Sequence, residues 1–136
     1  VKATDKTIKS YPNLKGWEQV ISSTGAMNAQ LKRAVQNKDE IVITGWSPYW
    51  IFQRYDLKYL DDPKGTMGRA ESIHTMTRKG LKKDMPEAYK ILDNFKWDVK
   101  DMESIMLEIE DGKDPEKATS EWIENNRDKV DKWKEK

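Results

Sequence analysis

The sequence predicts an α/β chain in which a small sheet is flanked by helices and followed by a helical C-terminal part. Three observations carry that prediction. Residues 17–44 read strand, helix, strand; a third β-branched run lies at 73–81; and from Asp84 on, capped amphipathic stretches succeed one another. Two strands joined by a helix imply a parallel pair, because a parallel return needs a crossover of about a dozen residues.

In chain order, Thr4, Ile8 and Tyr11 share one face of a helix over 1–11, and Pro12-Asn13 stops it. Gly16-Trp17-Glu18-Gln19-Val20-Ile21 suits a strand. Ser22-Ser23-Thr24 offers N-caps for a helix over 25–37, with Met27, Leu31, Ala34 and Val35 at core spacing. Ile41-Val42-Ile43-Thr44 is the next strand. Residues 47–69 are loop-like and aromatic, and Ile73 to Leu81 reads as a third strand running into a turn. Asp84-Met85-Pro86-Glu87 starts a helix with Ala88, Ile91, Leu92 and Phe95 along one side. Asp98 opens another, carrying Met102, Ile105, Met106 and Ile109 and ending near Gly112. Asp114-Pro115 opens a third with Ala118, Trp122 and Ile123, interrupted at Asn125-Asn126 before a last turn with Val130 and Trp133.

Composition narrows the chemistry. The 136 residues suffice for one domain with a core, or for one lobe of a larger protein. Hydrophobic and charged residues each make up 36%, and the mean hydropathy is -0.96, which describes a heavily solvated chain with no run near the length of a membrane span. Lys and Arg number 25 against 24 Asp and Glu, interleaved along the sequence, so attraction to nucleic acid has little support. Without cysteine there is no disulfide or thiol chemistry, and a single histidine leaves no zinc ligand set of the usual kind. Val1 is not an initiator Met and no signal peptide opens the sequence, so the chain is expected to be processed or cut from something longer.

Most polar motifs have plain structural readings. Asp61-Asp62-Pro63-Lys64-Gly65 is a turn sequence rather than a metal site, because Asp caps turns and Pro fixes the next φ. His74 has no carboxylate or nucleophile beside it and reads as structural. Arg78-Lys79-Gly80-Leu81-Lys82-Lys83 precedes Asp84 and Glu87 and reads as a solvated turn. No nucleophile elbow or phosphate-cradling glycine loop occurs, so no catalytic residue, cofactor or metal is expected. Gly45-Trp46-Ser47-Pro48-Tyr49-Trp50 differs from these. It places indoles where a buried strand meets a loop, and Trp offers the best π face for a cation that cannot donate hydrogen bonds, worth about 2 kcal/mol when desolvated. Packing as core or lid is the ordinary fate of such rings.

That hexapeptide resembles a family when read with Tyr55-Asp56-Leu57-Lys58-Tyr59-Leu60-Asp61-Asp62-Pro63-Lys64, Ile73-His74-Thr75, Arg78-Lys79-Gly80-Leu81, Pro86-Glu87-Ala88-Tyr89 and Phe95-x-Trp97. The chain is similar, from about Thr4 to Trp133, to one half of the glycine betaine/proline betaine substrate-binding component of osmoprotectant ABC importers. The resemblance implies that residues 1–136 form a single partial domain, one lobe of a type II periplasmic-binding-protein-like fold. It also implies ligand-binding roles for Trp46, as one ring of a tryptophan cage around a trimethylammonium, and for Ser47 and Tyr49. The family often has His where Tyr49 stands, and Trp50 would support the loop. The glycine-rich turn that holds the ligand carboxylate, the other cage rings and the second lobe have no match here. Implied partners are a betaine ligand, the ABC permease subunit and the missing lobe, on the extracytoplasmic face of the membrane (lipid-anchored or permease-fused) or in the periplasm. Choline, carnitine or another solute is an alternative ligand, and a non-binding isolated lobe an alternative role. Exposure of Trp46 and Trp50 would favour self-association of the lobe alone.

Overall fold

Among the described residues, local signals place the longer helices where the sequence predicts them, whereas the four-residue helices Ile51–Arg54 and Leu81–Asp84 stand where it predicts loop and the end of a strand. The computed structural model describes residues 1–135, which form two compact units, one of Val1–Trp46 with Lys58–Glu71 and the other of Ser47–Leu57 with Ser72 onward. In the first unit α1 (Lys2–Ser10) gives way at Pro12 to a 3-10 turn (Pro12–Leu14). Helix α2 (Thr24–Asn37) starts at Ser23, whose hydroxyl accepts the Ala26 N–H at 3.2 Å and satisfies one of the donors that a helix start leaves unpaired. Leu31 and Ala34 are its buried residues, whereas Val35, expected inward, is exposed.

A hydrogen-bonded knot holds α1 to the turn at 62–65. Asp62 Oδ1 accepts from the Tyr11 hydroxyl at 2.5 Å and Thr66 Oγ1 at 3.0 Å, and Oδ2 accepts the Met67 N–H at 2.8 Å. The Tyr11 oxygen accepts the Lys64 N–H at 2.9 Å, and Thr7 Oγ1 lies 2.7 Å from Thr66 Oγ1. Gly65 closes the turn by donating its N–H to Asp62 O at 2.9 Å with a φ of 60, a left-handed value glycine takes at no steric cost. The Met67 N–H and then the Tyr11 hydroxyl hold the Asp62 carboxyl well below the usual carboxylate range, while burial and the same bond raise Tyr11.

The second unit is helical: α3 (Ile51–Arg54), α4 (Leu81–Asp84), α5 (Pro86–Asn94), α6 (Val99–Glu110), α7 (Pro115–Asn125) and α8 (Arg127–Lys134). Pro86 and Pro115 stand at helix starts, where the missing N–H costs nothing, and Asp114 accepts the Lys117 N–H at 3.0 Å. Gly112, with a φ of 92, ends α6 by donating to Ile109 O while Lys113 donates to Glu108 O, each at 3.0 Å. Helix α6 packs on α3 and α7, and α5 on α4 and α8, around Ile51, Ile105, Ala118 and Val130. Lys113 binds Glu108 at 2.7 Å and Glu121 at 2.5 Å, tying α6 to α7. A chain of rings joins Phe95, Trp133, Trp122 and Trp97, with centroid spacings of 4.7, 6.1 and 5.5 Å. Lys129 Nζ lies 5.8 Å from the Trp122 ring and binds Asp101 at 2.5 Å.

The predicted sheet is not formed among the described residues. None of the runs at 17–21, 41–44 and 73–81 is assigned to a strand, although the last does end in a turn at Lys79-Gly80. A strand exists only as a hydrogen-bonded relation between segments, and these runs have no ladder partner among the described residues. Most of their apolar side chains stay in solvent, Val20 to 88% and Ile73 to 72%. The helices tell the same story on one face, since Ile91, Leu92 and Phe95, expected as core, are each more than a third exposed.

Two outcomes follow from these contacts. Trp122→Ala removes a half-buried ring from the middle of the aromatic chain and is expected to cost about 2–3 kcal/mol, somewhat less than a fully buried tryptophan, as urea unfolding would measure. Asp62 has a depressed folded pKa, so its stabilisation is complete above the ordinary carboxylate pKa near pH 4 and is lost as pH falls through the folded value. Asp62→Asn is therefore expected to lower stability at neutral pH and to flatten the acid side of the stability-against-pH curve.

Candidate functional site

The aromatic hexapeptide crosses from one unit to the other. Trp46 ends the first stretch of the first unit, and Ser47 and Tyr49 belong to the second. Trp46 is 46% exposed, so close to half of a large indole surface is open to solvent even though the residue stands among apolar neighbours in sequence. Trp50 has the opposite fate. It is 8% exposed, with ring neighbours Tyr49 at 5.6 Å and Tyr55 at 6.4 Å, and the Arg54 guanidinium lies 5.1 Å from its centroid. Arg54 is itself paired with Asp111 at the end of α6. Trp50 therefore supports the loop and has spent a π face on a residue of its own chain, which removes it from the exposed apolar patch expected beside Trp46.

The loop from Ser47 to α3 is held from below by α6. Glu103, 5% exposed, presents Oε1 to the Ser47 hydroxyl at 2.7 Å and to the Tyr49 N–H at 3.4 Å, and Oε2 to Gln53 Nε2 at 3.4 Å. Burying an acid without donors costs several kcal/mol, and here the donors all come from one seven-residue stretch. Tyr49 is buried beside Trp50 rather than exposed. Of the three predicted ligand residues, Trp46 alone has a broadly exposed aromatic surface; Ser47 directs its hydroxyl proton at Glu103. Sequence reasoning missed Glu103 because an acid in an amphipathic helix ordinarily reads as solvated. The available signal was its register, three and four residues before Met106 and Leu107 on the inward side of α6.

The other polar motifs fall outside this loop. Asp62 accepts three donors within its own knot, as a turn residue does. His74 lies on an exposed stretch and borders a groove of about 300 Å³ with Thr75, Thr77, Tyr89 and Asp93, so it is neither in a strand nor buried. Arg78 pairs with Asp84 at 2.7 Å across the turn at Gly80, and Lys82 Nζ lies 5.4 Å from the Tyr89 ring. Among the described residues no group of three or more His, Cys, Asp and Glu converges as a metal site, and no helix is long and apolar enough to cross a membrane.

Comparison with known proteins agrees with the motifs. A family model described as the substrate binding domain of ABC-type glycine betaine transport system, OpuAC, matches residues 1–125. The glycine betaine/carnitine transport binding protein GbuC of Listeria monocytogenes is 53% identical over 132 residues, covering 96% of this chain and 44% of its own length. Lactococcal OpuAC, solved closed and liganded with glycine betaine, is 57% identical with a TM-score of 0.76, over 98% of this chain and 52% of that one. The glycine/betaine/L-proline-binding protein ProX of Borrelia burgdorferi is 32% identical with a TM-score of 0.71, over 98% and 51%. This chain thus spans about half the length of the relatives it matches, and its architecture corresponds to part of a periplasmic binding fold. The family consists of binding domains, not enzymes. The chain belongs to the family of substrate-binding domains of ABC-type glycine betaine transport systems.

Proposed function

We propose that this chain supplies one lobe of a two-lobed receptor that binds a quaternary ammonium compatible solute, glycine betaine first, and delivers it to the permease of an ABC importer. The receptor would act on the outer side of the cytoplasmic membrane, anchored, fused to the permease, or free in a periplasm. No chemistry is done on the solute. Trp46 carries the proposal: in a chain of this family, an indole 46% exposed directly before a loop that is pinned from below is suited to face a trimethylammonium group. Such a group donates no hydrogen bonds, so a π face and desolvation are what a protein can offer it. Ser47 and Tyr49 would serve the same site through the shape of the loop.

The runs at 17–21, 41–44 and 73–81 would be strands in the whole receptor, paired with residues outside this chain. Their exposed Val20, Ile21, Val42 and Ile73 favour that arrangement, since a sheet would cover them. Carnitine is a second ligand, favoured by the 53% identity to a protein named for both solutes. It carries the same trimethylammonium group, so Trp46 would not separate the two.

In the full receptor, Trp46→Ala is expected to weaken glycine betaine binding by roughly thirtyfold, the ~2 kcal/mol of one desolvated π face, while leaving the melting temperature close to that of wild type, and Trp46→Phe to weaken binding less. Calorimetry checks both, and equal affinity of wild type and Trp46→Ala would remove Trp46 from the site. The 136-residue chain by itself should bind far more weakly. One half-exposed ring contributes roughly 0.5–2 kcal/mol, whereas a micromolar complex needs about 8 kcal/mol. Titration by tryptophan fluorescence is expected to give a millimolar constant or none. The mass in solution should show self-association through the exposed apolar runs and Trp46.

A further inference from the structure

Among the described residues Glu103 is the only acidic or basic side chain that is buried, and no ion pair compensates it. Its partners are instead a hydroxyl, a backbone N–H and a side-chain amide, drawn from Ser47, Tyr49 and Gln53, which lie 50 to 56 residues away in sequence. We infer that Glu103 is a positioning residue for the ligand loop, acting through Ser47 and Tyr49; this rests on the proposal that the loop serves the solute site.

Three features of the geometry lead there. Stability alone does not call for an acid at this place, because its neighbours on α6 are Met102, Ile105, Met106 and Leu107, and an apolar side chain among them would need no donors. An acid does what an apolar residue cannot: it selects the one loop conformation that brings three donors to two oxygens. The donors also bracket the loop. Ser47 follows Trp46 directly in the chain, Tyr49 is fixed through its backbone rather than its ring, and Gln53 holds the first turn of α3.

The contact also sets what Ser47 can do. A hydroxyl has one proton, and here it lies on a 2.7 Å bond to Glu103 Oε1, so it is not available to a carboxylate on a solute, which accepts and never donates. The effect of Ser47 on binding therefore runs through Glu103. A Ser47 that touched the solute independently would behave otherwise, and that difference is measurable.

The test uses the full-length receptor containing this chain, with glycine betaine titrated by calorimetry, melting temperature measured in parallel, and amide exchange followed at Tyr49. Glu103→Leu is expected to weaken binding about tenfold or more, and Ser47→Ala several-fold. The double variant is expected to bind no worse than Glu103→Leu, because the two act as one unit. Glu103→Gln keeps a carbonyl for Ser47 and Tyr49 and is expected to recover most of the affinity, as Gln53 can turn its own amide to meet the new one. Wild-type affinity in a folded Glu103→Leu, or additive losses in the double variant, would overturn the inference. If Glu103→Leu does not fold, Gln53→Leu, which removes another of the donors to Glu103, takes its place: a loss that is not additive with Ser47→Ala supports the inference, and wild-type affinity or additive losses overturn it. If wild type fails to bind glycine betaine, the proposed function falls by itself, and exchange at the Tyr49 amide judges the loop: faster in Glu103→Leu supports the positioning role, and unchanged overturns it.

Discussion

A buried carboxyl group must be given donors, and in the second unit that requirement organises what lies around it. Glu103 draws Ser47, Tyr49 and Gln53 onto α6 from 50 to 56 residues away. Once they are there, Ile51 is fully enclosed against α6 and Trp50 is closed over by Tyr49, Tyr55 and Arg54. The pair Arg54 to Asp111 then ties the far end of α3 to the far end of α6. Hydrophobic burial supplies the free energy of this packing, but burial is indifferent to loop conformation, and directional acceptors are what choose among conformations.

The first unit solves a similar problem with a less buried acid. Asp62 Oδ1 takes two donors and Oδ2 one, and the Tyr11 hydroxyl that donates to it accepts in turn from the Lys64 backbone. An acidic pair beside Pro and Gly invites a cation in principle. In this knot the carboxyl oxygens of Asp62 are already turned toward protein donors, and the depression of its pKa comes from those bonds. In both units, then, an acid converts a loop into a defined shape, and neither acid is placed as a ligand for a metal or as a base.

What could be read from the sequence divides along the line between local and relational structure. Ser23, Asp114, Pro86, Pro115 and Gly112 act on backbone groups within a few residues of themselves, so the helix ends they mark were legible. The β-branched runs are equally legible as runs, but a strand also requires a neighbour, and no sequence pattern within 17–21 or 41–44 says where that neighbour lies. The fates of Trp46 and Trp50 could not be separated by composition either. Trp50 is buried because Arg54 and Tyr55 follow it around one turn of helix, an arrangement that exists only after the loop has folded onto α6. Glu103 escaped notice for a related reason: its inward register on α6 was legible, but the donors that let an acid be buried there are side-chain and backbone groups of a distant loop.

The division of labour in recognition follows from the same chemistry. Under the proposed function, the half of the solute that meets Trp46 is a trimethylammonium, which glycine betaine, carnitine and choline have in common. A π face therefore recognises the class and contributes little to the difference between its members. Discrimination has to come from groups that meet the other end of the solute, where a carboxylate, a longer hydroxylated chain or a bare hydroxyl would present different acceptors and donors. On this chain Ser47 does not offer a proton for that purpose, and Tyr49 is turned inward. The residues that tell one solute from another would then lie outside the Trp46 loop, and the loop from Ser47 onward would contribute a fixed backbone whose value depends on not moving when the solute arrives. That is the property a buried acceptor beneath it is suited to provide, since a preorganised contact pays its ordering cost on folding rather than on binding.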